Sequence, residues 1–340
     1  MYEQFFGFRE RPFDLTPNPR YLVMTDSHRE AVSNLEYGIA SRKGLTLLIG
    51  EAGSGKTTVI RAAIERQPAR VQCVHLHNPT LSRVEFVEML ATRFGLSAEA
   101  VKSKTAMLVE LEALLKKRHA EGETTVLIID EAQSLPLDLL EEIRLLANIE
   151  TDEQKLLSVI IAGQPELADR LNEAALRQLK QRVALRCQLR QLTLQETAGY
   201  IAGRIRAAGG IGAQVFTREA VALIHERSQG IPRTISVIAD NALLGGFAAG
   251  QRPVGSQLVR EVCRDFDLHG EPGTAAEPHA PLPLPPAETR PEPTAAVARR
   301  LVVPSHPAAV GASQDPGNKP PEQLFNTFSS KRKRFSFFWN

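Results

Sequence analysis

The sequence has a single tryptophan, three cysteines and almost no net charge. Cys73, Cys187 and Cys263 are widely spaced and odd in number. That argues against a disulfide framework and for a reducing compartment, so the expected location is the cytoplasm. The 41 Lys+Arg against 39 Asp+Glu leave a formal charge of +2. This field is too small for a general nucleic-acid coat, so nucleic acid is not an expected partner. No apolar run reaches the roughly 18 residues that a membrane span needs. The opening residues lack an apolar stretch beside a small-residue cleavage site, so no secretory leader is expected. What remains is an ordinary globular composition, 43% hydrophobic and 24% charged over 340 residues. That is enough for about two domains with a buried core.

Proline is sparse at first and abundant after residue 269. Thirteen of the 22 prolines fall within residues 271–321, where Pro281-Leu-Pro-Leu-Pro-Pro286 allows neither helix nor sheet interior. Residues 269–340 therefore read as a disordered, Pro-rich tail. Eight of the Lys/Arg and six of the Asp/Glu belong to it, which leaves residues 1–268 neutral. The tail closes on Lys331-Arg-Lys-Arg334 and Phe335-Ser-Phe-Phe-Trp339. Cations beside aromatics suit an anionic membrane surface, reached through residues 331–339. A peptide that docks on a partner protein, and a solvated tail with no role, fit the same composition.

Residues 1–268 alternate short apolar runs with amphipathic stretches. Runs at 45–49, 71–76, 125–129, 157–162 and 183–189 read as strands. Stretches at 29–41, 57–66, 83–94, 105–119 and 137–148 read as helices. In the fourth of these, Met107, Leu108, Leu111, Leu114 and Leu115 share one helical face. Alternation of this kind predicts an α/β fold, a parallel five-stranded sheet with helices on both faces. After about residue 191 the strand signals stop. Stretches at 195–208, 217–228 and 232–247 predict a small all-α unit. The expected divisions are a core at 1–190, a helical unit at 191–268 and the tail at 269–340.

Gly50-Glu-Ala-Gly-Ser-Gly-Lys-Thr57 follows the first strand and opens a helix. This is the phosphate-loop pattern in the context it requires. Gly50, Gly53 and Gly55 let the backbone curl so that its N–H groups converge on phosphate oxygens, with Ser54 and Thr58 in the same cradle. The helix N-terminus adds positive potential. Lys56 is expected at the β- and γ-phosphates of ATP, and the Thr57 hydroxyl at Mg²⁺. The run at 125–129 ends in Asp130-Glu131. Asp130 is the second expected Mg²⁺ residue, and Glu131 the group that orients or deprotonates an attacking water. That pairing implies a hydrolase. Cys73, His75 and His77 alternate along one strand, but no second ligand cluster is near, so they are assigned to the core of the sheet.

Taken together these residues resemble the AAA+ ATPases, and more closely the group typified by ExeA, general secretion pathway protein A. The resemblance rests on Phe5-Phe-Gly-Phe-Arg-Glu-Arg-Pro-Phe-Asp-Leu-Thr-Pro-Asn-Pro19, His28-Arg-Glu-Ala31 and Asp130-Glu-Ala-Gln133, with Ala162-Gly-Gln-Pro-Glu-Leu167 and Gly230-Ile-Pro-Arg233. It implies an AAA+ P-loop NTPase whose all-α unit is a lid. Gln164 looks like the sensor-1 polar residue, and Arg233 looks like the sensor-2 arginine of the lid. An arginine finger supplied to a neighbouring subunit is implied at Arg182 or Arg177. Residues 12–22 look like the segment that wraps the adenine. The resemblance further implies a homo-oligomer, a ring of about six, beside inner-membrane secretion, pilus or polysaccharide-export proteins, which adds the inner membrane's periphery to the expected location. Several members carry a membrane span and a peptidoglycan-binding domain, and neither is read here. DNA-acting AAA+ regulators of transposition or initiation share the same motifs, and remain the alternative. A nucleotide switch with little turnover is a third reading, against which Glu131 counts.

Overall fold

The computed structural model describes residues 1–15, 23–67, 70–76 and 81–267. The Pro-rich tail, His77 and residues 16–22 of the expected adenine segment lie outside the described residues. The five apolar runs are β1 (Leu45–Ile49), β2 (Val71–Leu76), β3 (Thr124–Ile129), β4 (Leu157–Gly163) and β5 (Val183–Gln188). They form one sheet in the order β2-β3-β4-β1-β5, with every pairing parallel. Both faces of such a sheet must be covered, because its connections are crossovers.

The strands show this in their alternation. Leu47, Ile49, Leu127, Ile129, Val159 and Ile161 point into one core. Their neighbours Leu48, Val126, Ile128, Ile160 and Ala162 point into the other. A helix α1 (Tyr2–Phe6) precedes the sheet. The second core is closed by α2 (Asp26–Ala40) and α3 (Lys56–Glu65). The first core is closed by α4 (Arg83–Phe94), α5 (Ala98–Lys102), α6 (Lys104–Ala120) and α7 (Leu137–Leu146). The short helices α8 (Pro165–Arg170) and α9 (Arg177–Gln181) add Leu167 and Leu179 to it. Helix α4 begins at a reciprocal cap, Ser82 with Glu85, and ends at the left-handed Gly95. Those signals put its limits where the sequence reading places them. The β2 strand differs from expectation. It is the sheet's edge, and Gln72 and Cys73 are exposed rather than buried.

After β5 come α10 (Leu194–Ala207), α11 (Arg218–Ser228), α12 (Pro232–Ala248) and α13 (Ser256–Asp265), which enclose a third core. The same core contains Tyr2, Phe6, Phe8 and Phe13. The first residues, which the sequence reading groups with the sheet, thus pack in the lid. The Arg9 N–H donates to the Ala208 carbonyl at 2.8 Å. Gly210 has no side chain because a Cβ there would lie 2.4 Å from the Phe8 ring. The aromatic residues of this N-terminal strap foretell burial, but their spacing carries no information on which core receives them.

Candidate functional site

A parallel sheet presents its functional residues at the carboxyl ends of its strands. There, residues 50–57 curl from β1 into α3. Gly53 and Gly55 take φ of +78° and +98°, backbone that other residues adopt at a cost. The helix starts at Lys56, one residue earlier than expected. Lys56 is buried at 4% exposure. Its ammonium donates to the carbonyls of Gly50 at 2.8 Å and Glu51 at 3.1 Å. Burial pushes its pKa below the ordinary lysine range, opposed chiefly by the carboxylates of Glu131, Asp130 and Glu51. The buried Ser54 hydroxyl, at the cavity wall, has no hydrogen-bond partner among the described residues. A buried ammonium at the N-terminus of α3, lining the cavity, suits an anionic ligand such as a phosphate.

The acidic pair meets this loop across the sheet. Thr57 Oγ1 donates to Asp130 Oδ2 at 2.7 Å. One carboxylate and one hydroxyl, both hard oxygen donors, fit Mg²⁺, which leaves its other positions to phosphate and water. Glu131 faces the cavity. It has a left-handed backbone, φ 53°, at the sharp turn from β3 into residues 132–134. Strain of this kind persists where the surroundings hold it in place. Here the Ser134 hydroxyl donates to the Glu131 carbonyl at 2.7 Å. Because β4 lies between β3 and β1, Gln164 comes between the acidic pair and the loop. Its amide donates to Glu131 Oε2 at 3.3 Å.

The lid closes the opposite wall. Gly230, φ +71°, packs so tightly that a Cβ would fall 2.1 Å from the Leu192 carbonyl oxygen. The Leu192 N–H donates to Gly230 O at 2.9 Å. This seats the start of α12 on the loop, where the Arg233 N–H donates to Gly53 O at 3.2 Å. A Cβ on Gly53 would meet that of Arg233 at 2.5 Å. The cavity between, about 390 Å³, runs from Gly53, Ser54, Lys56, Thr57 and Thr58 to Arg233 and on to the strap. Arg177 and Arg182 are exposed and lie outside its lining.

Two residues at this cavity were not expected there: His28, read from the sequence as structural rather than catalytic, and Arg204, given no role. His28, 3% exposed, bridges Thr25 Oγ1 at 2.6 Å and the Ser54 carbonyl at 3.2 Å. A carbonyl only accepts, so Nε2 carries the proton and Nδ1 takes the Thr25 hydroxyl hydrogen. The ring braces the loop, and burial pushes its pKa down. Arg204, 7% exposed, donates to Tyr200 OH at 2.6 Å, Ser236 Oγ at 3.1 Å and the Asp14 carbonyl at 2.7 Å. It ties the strap, α10 and α12 together at the cavity's far end, which Asp14, Leu15 and Val23 also line. His28 opens the motif His28-Arg-Glu-Ala31, which does not itself reveal the contact with the loop; no contiguous motif announces Arg204.

A phosphate loop after β1, an acidic pair after β3, two places away in the sheet, and an α-helical lid over both define the nucleotide-binding AAA+ class. Residues 39–171 match the family model described as an AAA domain. The chain is 39% identical over 254 residues to General secretion pathway protein A of Aeromonas hydrophila. That match covers 75% of this chain and 46% of the relative, so the chain spans about half of that protein's length. The chain belongs to the AAA+ ATPases, in the group typified by ExeA, general secretion pathway protein A. Its fold resembles the Aeropyrum pernix ORC2 protein, with TM-score 0.57 and 17% identity over 75% of this chain and 71% of that one. It also resembles a chain of Drosophila ORC bound to DNA, with TM-score 0.54 and 19% identity over 75% of this chain and 64% of that one.

Proposed function

We propose that the chain binds ATP with Mg²⁺ in this cavity and hydrolyses it. The observation that carries the reading is the convergence of Lys56, Thr57 and Glu131 on one cavity, with Asp130 bonded to Thr57 behind its wall. Lys56 leaves its loop carbonyls for the β- and γ-phosphates. Glu131 orients a water for in-line attack on the γ-phosphorus and takes its proton, and ADP leaves with the bonding electrons. Mg²⁺ held by Thr57 and Asp130 neutralises phosphate charge when bound. Arg233, seated on the loop at Gly53, couples the lid's angle to the γ-phosphate. Arg182, or Arg177, completes the site of a neighbouring copy in a homo-oligomer. The exposure of both side chains fits that role.

The similarity to General secretion pathway protein A supports work at the cytoplasmic face of the inner membrane. There, hydrolysis drives or regulates assembly of a secretion, pilus or polysaccharide-export system. This is an inference from family rather than from the site. Cross-linking in cells with Glu131→Gln, which keeps ATP and stalls turnover, tests it. Retention of envelope-export proteins, identified by mass spectrometry, is the expected result. The fold likeness to a DNA-bound ORC chain favours the DNA-acting alternative. Turnover stimulated by duplex DNA, with a steep salt dependence, would establish that alternative instead.

A further inference from the structure

We propose that Gln133 is a positioning residue that holds Glu131 and Gln164 in one hydrolysis-competent arrangement. The inference rests on the ATPase reading above and gives a role to Gln133, the last residue of Asp130-Glu-Ala-Gln133, which that reading leaves without one.

Both ends of the Gln133 amide are engaged. Its Nε2 donates to Glu131 Oε2 at 2.6 Å, and its Oε1 accepts the Gln164 backbone N–H at 3.1 Å. The Gln164 side-chain amide donates to the same carboxylate oxygen at 3.3 Å. The Glu131 carboxylate therefore receives two amide hydrogens on one oxygen, and Gln133 links their sources. Its own backbone is anchored as well, since Arg170 Nη1 donates to the Gln133 carbonyl at 2.6 Å. The sheet leaves room for this bracket at one position. A Cβ on Gly163 would lie 3.0 Å from Gln133 Oε1 and 2.6 Å from Leu167 Cδ2.

The arrangement has a chemical consequence. A carboxylate at a left-handed turn, with its rotamers unrestrained, would sample orientations that do not face the attacking water. Two donors on Oε2 fix the plane of the group and leave Oε1 for the water. Gln133 does this without lining the cavity, so its loss should change the chemical step and spare nucleotide binding.

Two substitutions separate its two bonds. Gln133→Ala removes both. Gln133→Glu at neutral pH keeps an acceptor for the Gln164 N–H but presents an oxygen, not a donor, to Glu131. The full chain is assayed for steady-state ATP hydrolysis, for binding of a fluorescent ATP analogue and for thermal midpoint. Both variants are expected to lose about 10- to 100-fold in kcat, with analogue affinity and KM within about twofold of wild type. A wild-type chain with turnover and a folded Gln133→Ala of unchanged kcat overturns the bracket alone. A Gln133→Glu chain that keeps wild-type kcat overturns the donor role and leaves only the bond to Gln164. Affinity lost in step with kcat also overturns it, since Gln133 would then shape the binding site. A wild-type chain without turnover removes the ATPase reading, and the bracket with it.

Discussion

The two ends of the cavity are built in opposite ways. The loop end is contiguous: residues 50–58 supply its backbone, ammonium and hydroxyls, and β3 delivers Asp130 and Glu131 from two positions away in the sheet. The strap end is assembled from Asp14, Tyr200, Arg204 and Ser236, separated by nearly the whole described chain. The function proposed for the loop end rests on chemistry that tolerates little variation, charge neutralisation and water activation. The strap end needs only a shaped wall and satisfied polar groups, which many sequences provide. A motif therefore marks the first and none marks the second.

Substitutions on either side sharpen this contrast. At the loop end, Lys56→Ala should lower kcat/KM for ATP by about 10²–10³-fold, the usual cost of removing one preorganised charge donor. Steady-state hydrolysis measures it. At the junction, Gly230→Ala places a side chain against the Leu192 carbonyl in a left-handed backbone. It should cost about 1–3 kcal/mol of stability, seen as a lower thermal midpoint. At the strap end, Arg204→Met removes the guanidinium bonds to Tyr200, Ser236 and the Asp14 carbonyl, while Tyr200 and Ser236 keep their bond to each other. It should cost about 1–3 kcal/mol, and the strap should gain proteolytic sensitivity while kcat at saturating ATP stays close to wild type. A strap end that abolished turnover when loosened would erase the distinction.

The smallest effect concerns pH. His28 is held neutral, and its pKa in the folded chain lies below the ordinary histidine value because it is buried. Between those two values the unfolded chain binds more protons than the folded one, so stability rises with pH. Stability should accordingly fall as the pH drops below about 6.5. The His28→Gln chain should show a weaker dependence in urea titrations over the same range.

The sheet and the loop end were legible because their signals are local. Five apolar runs bounded by turns gave the strands, and a fixed spacing gave the phosphate loop. Position in the sheet was harder to read. An edge strand and a central strand of similar composition differ only in their neighbours, which is why the exposure of Cys73 on β2 was not foreseen. Helices α5, α8 and α9 span two turns or less and offer no period to detect. Gln133 sits in a recognised motif, yet its partner is a backbone N–H on another strand's end, and no sequence spacing encodes that meeting. The sequence reading keeps residues 1–190 together, because chain order cannot show that the strap returns to the core formed by α10 to α13.

In the proposed hydrolysis site at the loop end, binding and chemistry reside in different residues. The most direct test of that division compares wild type with Glu131→Gln, pairing ATP-analogue titration with single-turnover hydrolysis on the same preparations. Binding should be retained within about twofold while hydrolysis falls by about 10²–10⁴-fold. Equal hydrolysis by the two chains would contradict the role given to Glu131, and with it the chemistry assigned to this cavity.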